Sequence, residues 1–120
     1  MDAERTRLIA AIELALDETE REYAQMPFFV RPMVKRGFAK RTGRDFAAWR
    51  ALLADARRGQ RTREVTDALA ALAEHYRGAP ERAKRGMGAT AEQLAIVEQR
   101  SHARAEAALA LHAVLLRSTP

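Results

Sequence analysis

From one end of this chain to the other, apolar residues recur every three or four positions and almost never alternate. That spacing places them on one side of a 3.6-residue turn, so each stretch can hide its apolar face only as a helix. Leu8, Ile12, Leu16, Thr19 and Tyr23 form the first stripe, with Ile9 beside it. They predict a helix over about residues 3–25 with Asp2 as its N-cap. Pro27 ends it, because proline disfavours helical geometry in the residue before it.

Pro32 suits the first turn of a short second helix, where its missing N–H costs little. Met33, Val34 and Phe38 are expected to face inward there, and Gly37 weakens the middle by about 1 kcal/mol relative to alanine. Thr42-Gly-Arg-Asp45 resembles a capping box for a third helix whose stripe is Phe46, Trp49, Leu52, Leu53 and Ala56, ending at Gly59. Thr62 is the expected cap of a fourth, with Val65, Leu69, Leu72 and Tyr76 inward and Gly78 as its stop. Residues 78–89, "GAPERAKRGMGA", read as a loop with at most a turn of helix after Pro80. Thr90 and Gln93 make a capping box for a last helix of about 27 residues, roughly 40 Å long. Its alanines at 103, 105, 107, 108 and 110 permit close helix approach. The expected fold is an all-α, single-domain antiparallel bundle of about five helices, long ones at the two ends and three shorter between.

The 120 residues include no cysteine. Disulfides, thiolate metal sites, iron–sulfur ligation and cysteine nucleophiles are therefore excluded. The acidic start of the chain reads as lacking a signal peptide, and the longest apolar run, "AALALHAVLL" at 107–116, is too short to span a bilayer. The expected location is cytoplasmic.

Charge is distributed unevenly. The net charge is +5, yet residues 1–30 hold three basic and seven acidic groups, whereas residues 31–60 hold nine basic and two acidic. Six cations, Arg31, Lys35, Arg36, Lys40, Arg41 and Arg44, run without an intervening acid until Asp45. In a helix, Arg36, Lys40 and Arg44 recur on one side with Arg41 flanking, while Arg31 and Lys35 lie further round. Just before them stand Phe28, Phe29 and Val30, between two prolines. A basic helix with aromatics at its entrance can receive phosphates, anionic lipid heads, ligand carboxylates or an acidic partner surface. The plainer alternative is that Phe28, Phe29 and Val30 plug the bundle end while the cations are merely solvated.

Catalytic constellations find little support. "GMG" at 86–88 follows no strand and lacks the Lys-Ser/Thr of a phosphate loop, and Ser101 and Ser118 have no hydrolase context. His112 sits beside an apolar stripe and reads as structural. His75, near a helix C-terminus, reads as a partly positive imidazole interacting with the helix dipole. Glu98, His102 and Glu106 share one helical face, but convergent ligands from a second helix are needed for a metal.

Residues 26–43, with Pro27, Phe28, Phe29, Val30, Arg31, Lys35 and Arg36 matching and Gly43 standing as the closing glycine, resemble a known pattern. It is that of a small helical segment at the C-terminus of one subunit of the light-independent protochlorophyllide reductase, and of related short bacterial proteins. The resemblance covers under one fifth of the 120 residues. It implies no catalysis, since the parent enzyme depends on cysteine-bound iron–sulfur clusters. What it implies is a tetrapyrrole-related accessory or docking role.

The reading that accounts for most of these features is a non-enzymatic interaction module without a cofactor. It would bind an acidic protein partner or anionic small ligand through Phe28, Phe29, Arg31, Lys35, Arg36, Lys40, Arg41 and Arg44. The alternative is nucleic-acid binding through the same surface, favoured by a pI near 10.4 but opposed by the acidic first helix and the lack of a nucleic-acid-binding motif. A metal protein using Glu98, His102 and Glu106 is a third reading. Homodimerisation through the last helix stays open.

Overall fold

Prolines and glycines divide the chain into helices much as their backbone preferences require. A computed structural model describes residues 3–86 and 88–118, and among them are six helices and no strand. These are α1 (Ala3–Ala24), α2 (Arg31–Thr42), α3 (Phe46–Arg57), α4 (Thr62–Arg77), α5 (Ala79–Arg85) and α6 (Ala91–Ser118). The expected N-cap, Asp2, lies outside the described residues. The seven-residue α5 occupies part of the stretch read as a loop, with Pro80 in its first turn. The other five correspond to the expected bundle.

Helix ends follow the local capping rules at some positions and depart from them at others. Thr90 and Gln93 form the reciprocal box at the start of α6. The Thr90 N–H donates to Gln93 Oε1 at 2.9 Å, and the Gln93 N–H donates to Thr90 Oγ1 at 3.1 Å. Gly43 ends α2 in the left-handed region at φ 82°, its N–H donating to the Ala39 carbonyl at 2.8 Å. Thr42, by contrast, does not cap α3. Asp45 does, accepting from the Ala48 N–H at 2.8 Å. Thr42 is drawn into the core instead, where its Oγ1 accepts from Trp49 Nε1 at 3.0 Å and lies 2.9 Å from the Phe38 carbonyl. An indole N–H buried without an acceptor would be costly, and that requirement outweighs the cap. Thr62 is likewise the first residue of α4 and not its cap. The capping position is Arg61, at φ 55°, held by Glu64 and Asp55. Gly78 does stop α4, but in a right-handed conformation (φ −82°) that lets the chain run directly into α5.

The core gathers one stripe from each long element. Ile9, Ile12 and Leu16 of α1 meet Trp49, Leu52 and Leu53 of α3, Leu69, Leu72 and Tyr76 of α4, and Leu111 and Leu115 of α6. The most extensive contact is α4 against α6, where Ala68, Ala73, Ala105 and Ala108 are buried and let the two backbones approach. α1 lies against α6 and α3, and α2 crosses onto α4. The long α6 sets the largest dimension of a body measuring 47 × 24 × 18 Å. Buried hydroxyls fasten α1 to α4: Thr19 Oγ1 and Tyr76 Oη lie 2.8 Å apart, and Thr19 Oγ1 donates to the Ala15 carbonyl at 2.7 Å. Burial pushes the Tyr76 hydroxyl up to about 12, so it stays protonated. No described helix is long and apolar enough to cross a membrane.

Candidate docking surface on the first turn and second helix

The chain tightens as α1 ends. The Gln25 and Met26 N–H groups reach back to the Glu22 and Tyr23 carbonyls, and the Val30 N–H bonds to the Pro27 carbonyl at 2.9 Å. Arg31 Nε closes the turn from the other side by donating to the Met26 carbonyl at 2.8 Å. Phe28 and Phe29 project from this turn, edge to face with their ring centroids 5.8 Å apart. They are 79% and 71% exposed, and Met33 one turn into α2 is 60% exposed. The bundle end is therefore not plugged by these aromatics, and Met33 does not face inward as its spacing suggested. Phe38 takes the inward role, stacked on Phe46 at 4.2 Å and fully buried, and Val34 is half-buried. One large buried aromatic at mid-helix, with Thr42 at the end, anchors α2 and leaves its opposite side free.

Ion pairing sorts the cations of the basic stretch. Arg44 is tied to Glu64 at 2.6 Å and lies over the Trp49 ring, so it belongs to the α2–α3 corner more than to an outward-facing patch. Arg61, then Arg44, holds the Glu64 carboxyl down at about 2. Further along, Arg50 pairs with Asp17 at 2.8 Å and with Glu20, and Arg57 pairs with Glu13 at 2.5 Å. On the other flank of α1, Arg104 meets Glu18 and Glu22, Arg100 meets Glu22, and Arg117 meets Glu4. The acidic first helix thus serves as counter-charge to α3 and α6. None of Arg31, Lys35, Arg36, Lys40 and Arg41 has a carboxylate within ion-pair distance among the described residues. Arg36 reaches only the Pro32 carbonyl, at 3.4 Å. The uncompensated charge has contracted from a 30-residue stretch to one helix of 12 residues.

Arg41 turns the other way. Its Nε donates to His75 Nδ1 at 3.2 Å. Arg82 of α5 approaches the same nitrogen at 3.4 Å and donates to the His75 carbonyl at 2.7 Å. His75 is 3% exposed, its ring edge-on to Phe38 and Tyr76. Burial, reinforced by Arg82 and Arg41, drives its pKa down to about 3. It is a neutral acceptor, and the expected partly positive imidazole at the helix end is overturned by burial first and by those two guanidiniums second. Periodicity could not show this: Arg41 and His75 are 34 residues apart, and Arg82 lies where a loop was expected.

Elsewhere, His102 Nε2 lies 3.9 Å from Glu106 on a solvent-facing stretch of α6. No third ligand joins them, and no group of three His, Asp or Glu side chains among the described residues could hold a metal ion. A shallow open groove lined by Asp17, Glu20, Arg21, Ala24, Lys35 and Arg50 runs beside α2 and carries both signs of charge. Compared with known proteins, the chain matches no family model, no curated protein and no solved structure.

Proposed function

We propose that this protein is a non-enzymatic docking module that binds an acidic protein partner through the α1–α2 turn and the outer side of α2. The observation that carries this reading is the exposed Phe28–Phe29 pair and Met33 set beside Arg31, Lys35, Arg36 and Lys40, none of these cations ion-paired among the described residues. Each aromatic fully buried in a partner's groove would contribute about 1.5–3 kcal/mol. Such side chains act as anchors when they fill a desolvated pocket. The surrounding cations would steer an acidic surface into register and affect association rate more than final affinity.

Nucleic acid is the competing occupant, since bases can stack on exposed aromatics while cations meet phosphates. The retreat of Arg44, Arg50 and Arg57 into ion pairs weighs against it. What remains is a helix about 18 Å long, a short footprint for tracking a phosphate backbone. The resemblance of residues 26–43 makes a partner in tetrapyrrole chemistry the first class to screen.

The test is fluorescence anisotropy of labelled single- and double-stranded oligonucleotides and of an acidic, aromatic-containing peptide, each over a salt series. The docking reading expects peptide binding that is lost in a Phe28→Ser/Phe29→Ser variant and weakened in Lys35→Glu/Arg36→Glu/Lys40→Glu. Oligonucleotide binding whose log affinity falls steeply with log salt would replace it with the nucleic-acid reading.

A further inference from the structure

We infer that Arg41 and Arg82, with the Tyr23 hydroxyl beside them, form a binding site for a phosphate dianion, independent of the docking surface. The fold brings two guanidiniums to one neutral acceptor: both reach His75 Nδ1, at 3.2 and 3.4 Å. A neutral imidazole presents one lone pair there, so it cannot satisfy both donors fully. Each guanidinium carries five N–H groups. The protein acceptors in reach are that nitrogen, the His75 carbonyl and the Tyr23 hydroxyl. Donors far outnumber acceptors, and no carboxylate pairs with either arginine among the described residues. This contrasts with Arg104, which meets Glu18 and Glu22.

Two like charges are held together here at a cost. Burial first, then Arg41, lowers the pKa of Arg82. Arg50, Arg57 and Arg104 are each met by acids of α1, and among the described residues this pair has no such counter-charge. Two bare positive charges match a dianion better than a single carboxylate, and guanidinium N–H groups fit phosphate oxygens in pairs.

The space for these side chains is built in. A Cβ placed at Gly37 would lie 3.0 Å from both Nη1 and Nη2 of Arg41, and one at Gly78 would lie 2.8 Å from Nη1 of Arg82. Each guanidinium therefore rests against a glycine. Gly37 sits in mid-helix, where alanine would be favoured by about 1 kcal/mol on propensity alone. A Cβ there would push the Arg41 head aside.

The site is tested by titrating the ¹⁵N-labelled protein with inorganic phosphate, and separately with O-phosphoserine, while following the arginine Nε–H resonances. Sodium chloride at matched ionic strength is the control. Saturable shifts confined to Arg41 and Arg82 are expected with phosphate and not with chloride. Arg82→Gln should weaken binding roughly tenfold or more, a loss of about 1.4 kcal/mol or more, and Gly37→Ala, which displaces the Arg41 head, should weaken it by less. Gly37→Ala keeps both charges and favours the helix, so its loss of binding would not reflect unfolding. Binding of phosphoserine as well as phosphate would show that the site takes a phosphomonoester, and binding of phosphate alone that it takes the free ion. Equal shifts with chloride and phosphate, or unchanged phosphate affinity in both variants, would overturn the proposal.

Discussion

Protonation of His75 should destabilise this protein as the pH falls from 7 to 4. In the folded protein its ring is held neutral with a pKa of about 3, because it is buried and faces Arg41 and Arg82. In the unfolded chain a histidine takes up a proton near pH 6.5, so protons favour unfolding throughout the interval between. The contribution is complete above about pH 6.5, declines by at most about 1.4 kcal/mol per pH unit below it, and levels off under about pH 3. Integrated from pH 7 to pH 4, the loss is about 3 kcal/mol. Carboxylates such as Glu64, also held low by arginine, lose stabilisation over part of the same range. The comparison must therefore be made against a variant. Chemical denaturation of wild type and His75→Gln at several pH values gives two stability curves whose difference isolates the imidazole. That difference should shrink by about 3 kcal/mol between pH 7 and pH 4. A constant difference would mean that His75 takes up its proton at the same pH in the folded protein as in the unfolded chain, and the account of Arg41 and Arg82 would fail with it.

Other outcomes follow from the packing. Thr42→Val removes the acceptor of the buried Trp49 N–H and should cost about 1–3 kcal/mol in denaturant titrations, with a shifted tryptophan emission. Asp45→Ala should cost about 1 kcal/mol by the same measurement, whereas Thr62→Ala at the start of α4 should cost less, since Thr62 is not the capping residue. Leu69→Ala opens a cavity among fully buried neighbours and should lower stability by about 2–5 kcal/mol. Phe28→Ser/Phe29→Ser should leave the unfolding midpoint nearly unchanged, within about 0.5 kcal/mol per site, because both rings are largely in solvent.

The helices and their buried stripes were legible because periodicity is a local property. Phe46, Trp49, Leu52, Leu53 and Ala56 were read as one face and all are buried. Met33 was misread because its spacing fits the stripe of α2, yet the single anchor at Phe38 already fixes that helix and turns Met33 outward. Thr42 looked like a cap because its neighbours are turn residues, and only the distant Trp49 explains why it is buried. The basic stretch was legible as charge but not as a surface. Whether Arg44 or Lys40 remains unpaired depends on where Glu64 and the acids of α1 come to lie, a matter of tertiary contact. The Arg41–His75–Arg82 cluster escaped for the same reason, with α2, α4 and α5 each supplying one member.

The docking account is tested most directly by placing a photo-crosslinking phenylalanine analogue at position 28 of the full chain in its native host and identifying what it captures. A control analogue goes at the exposed Ala113 on α6. The account predicts a discrete protein adduct mapping to an acidic segment of the partner, lost when Lys35, Arg36 and Lys40 are changed to glutamate and absent from the control. Capture of nucleic acid, or the same adducts from positions 28 and 113, would contradict it.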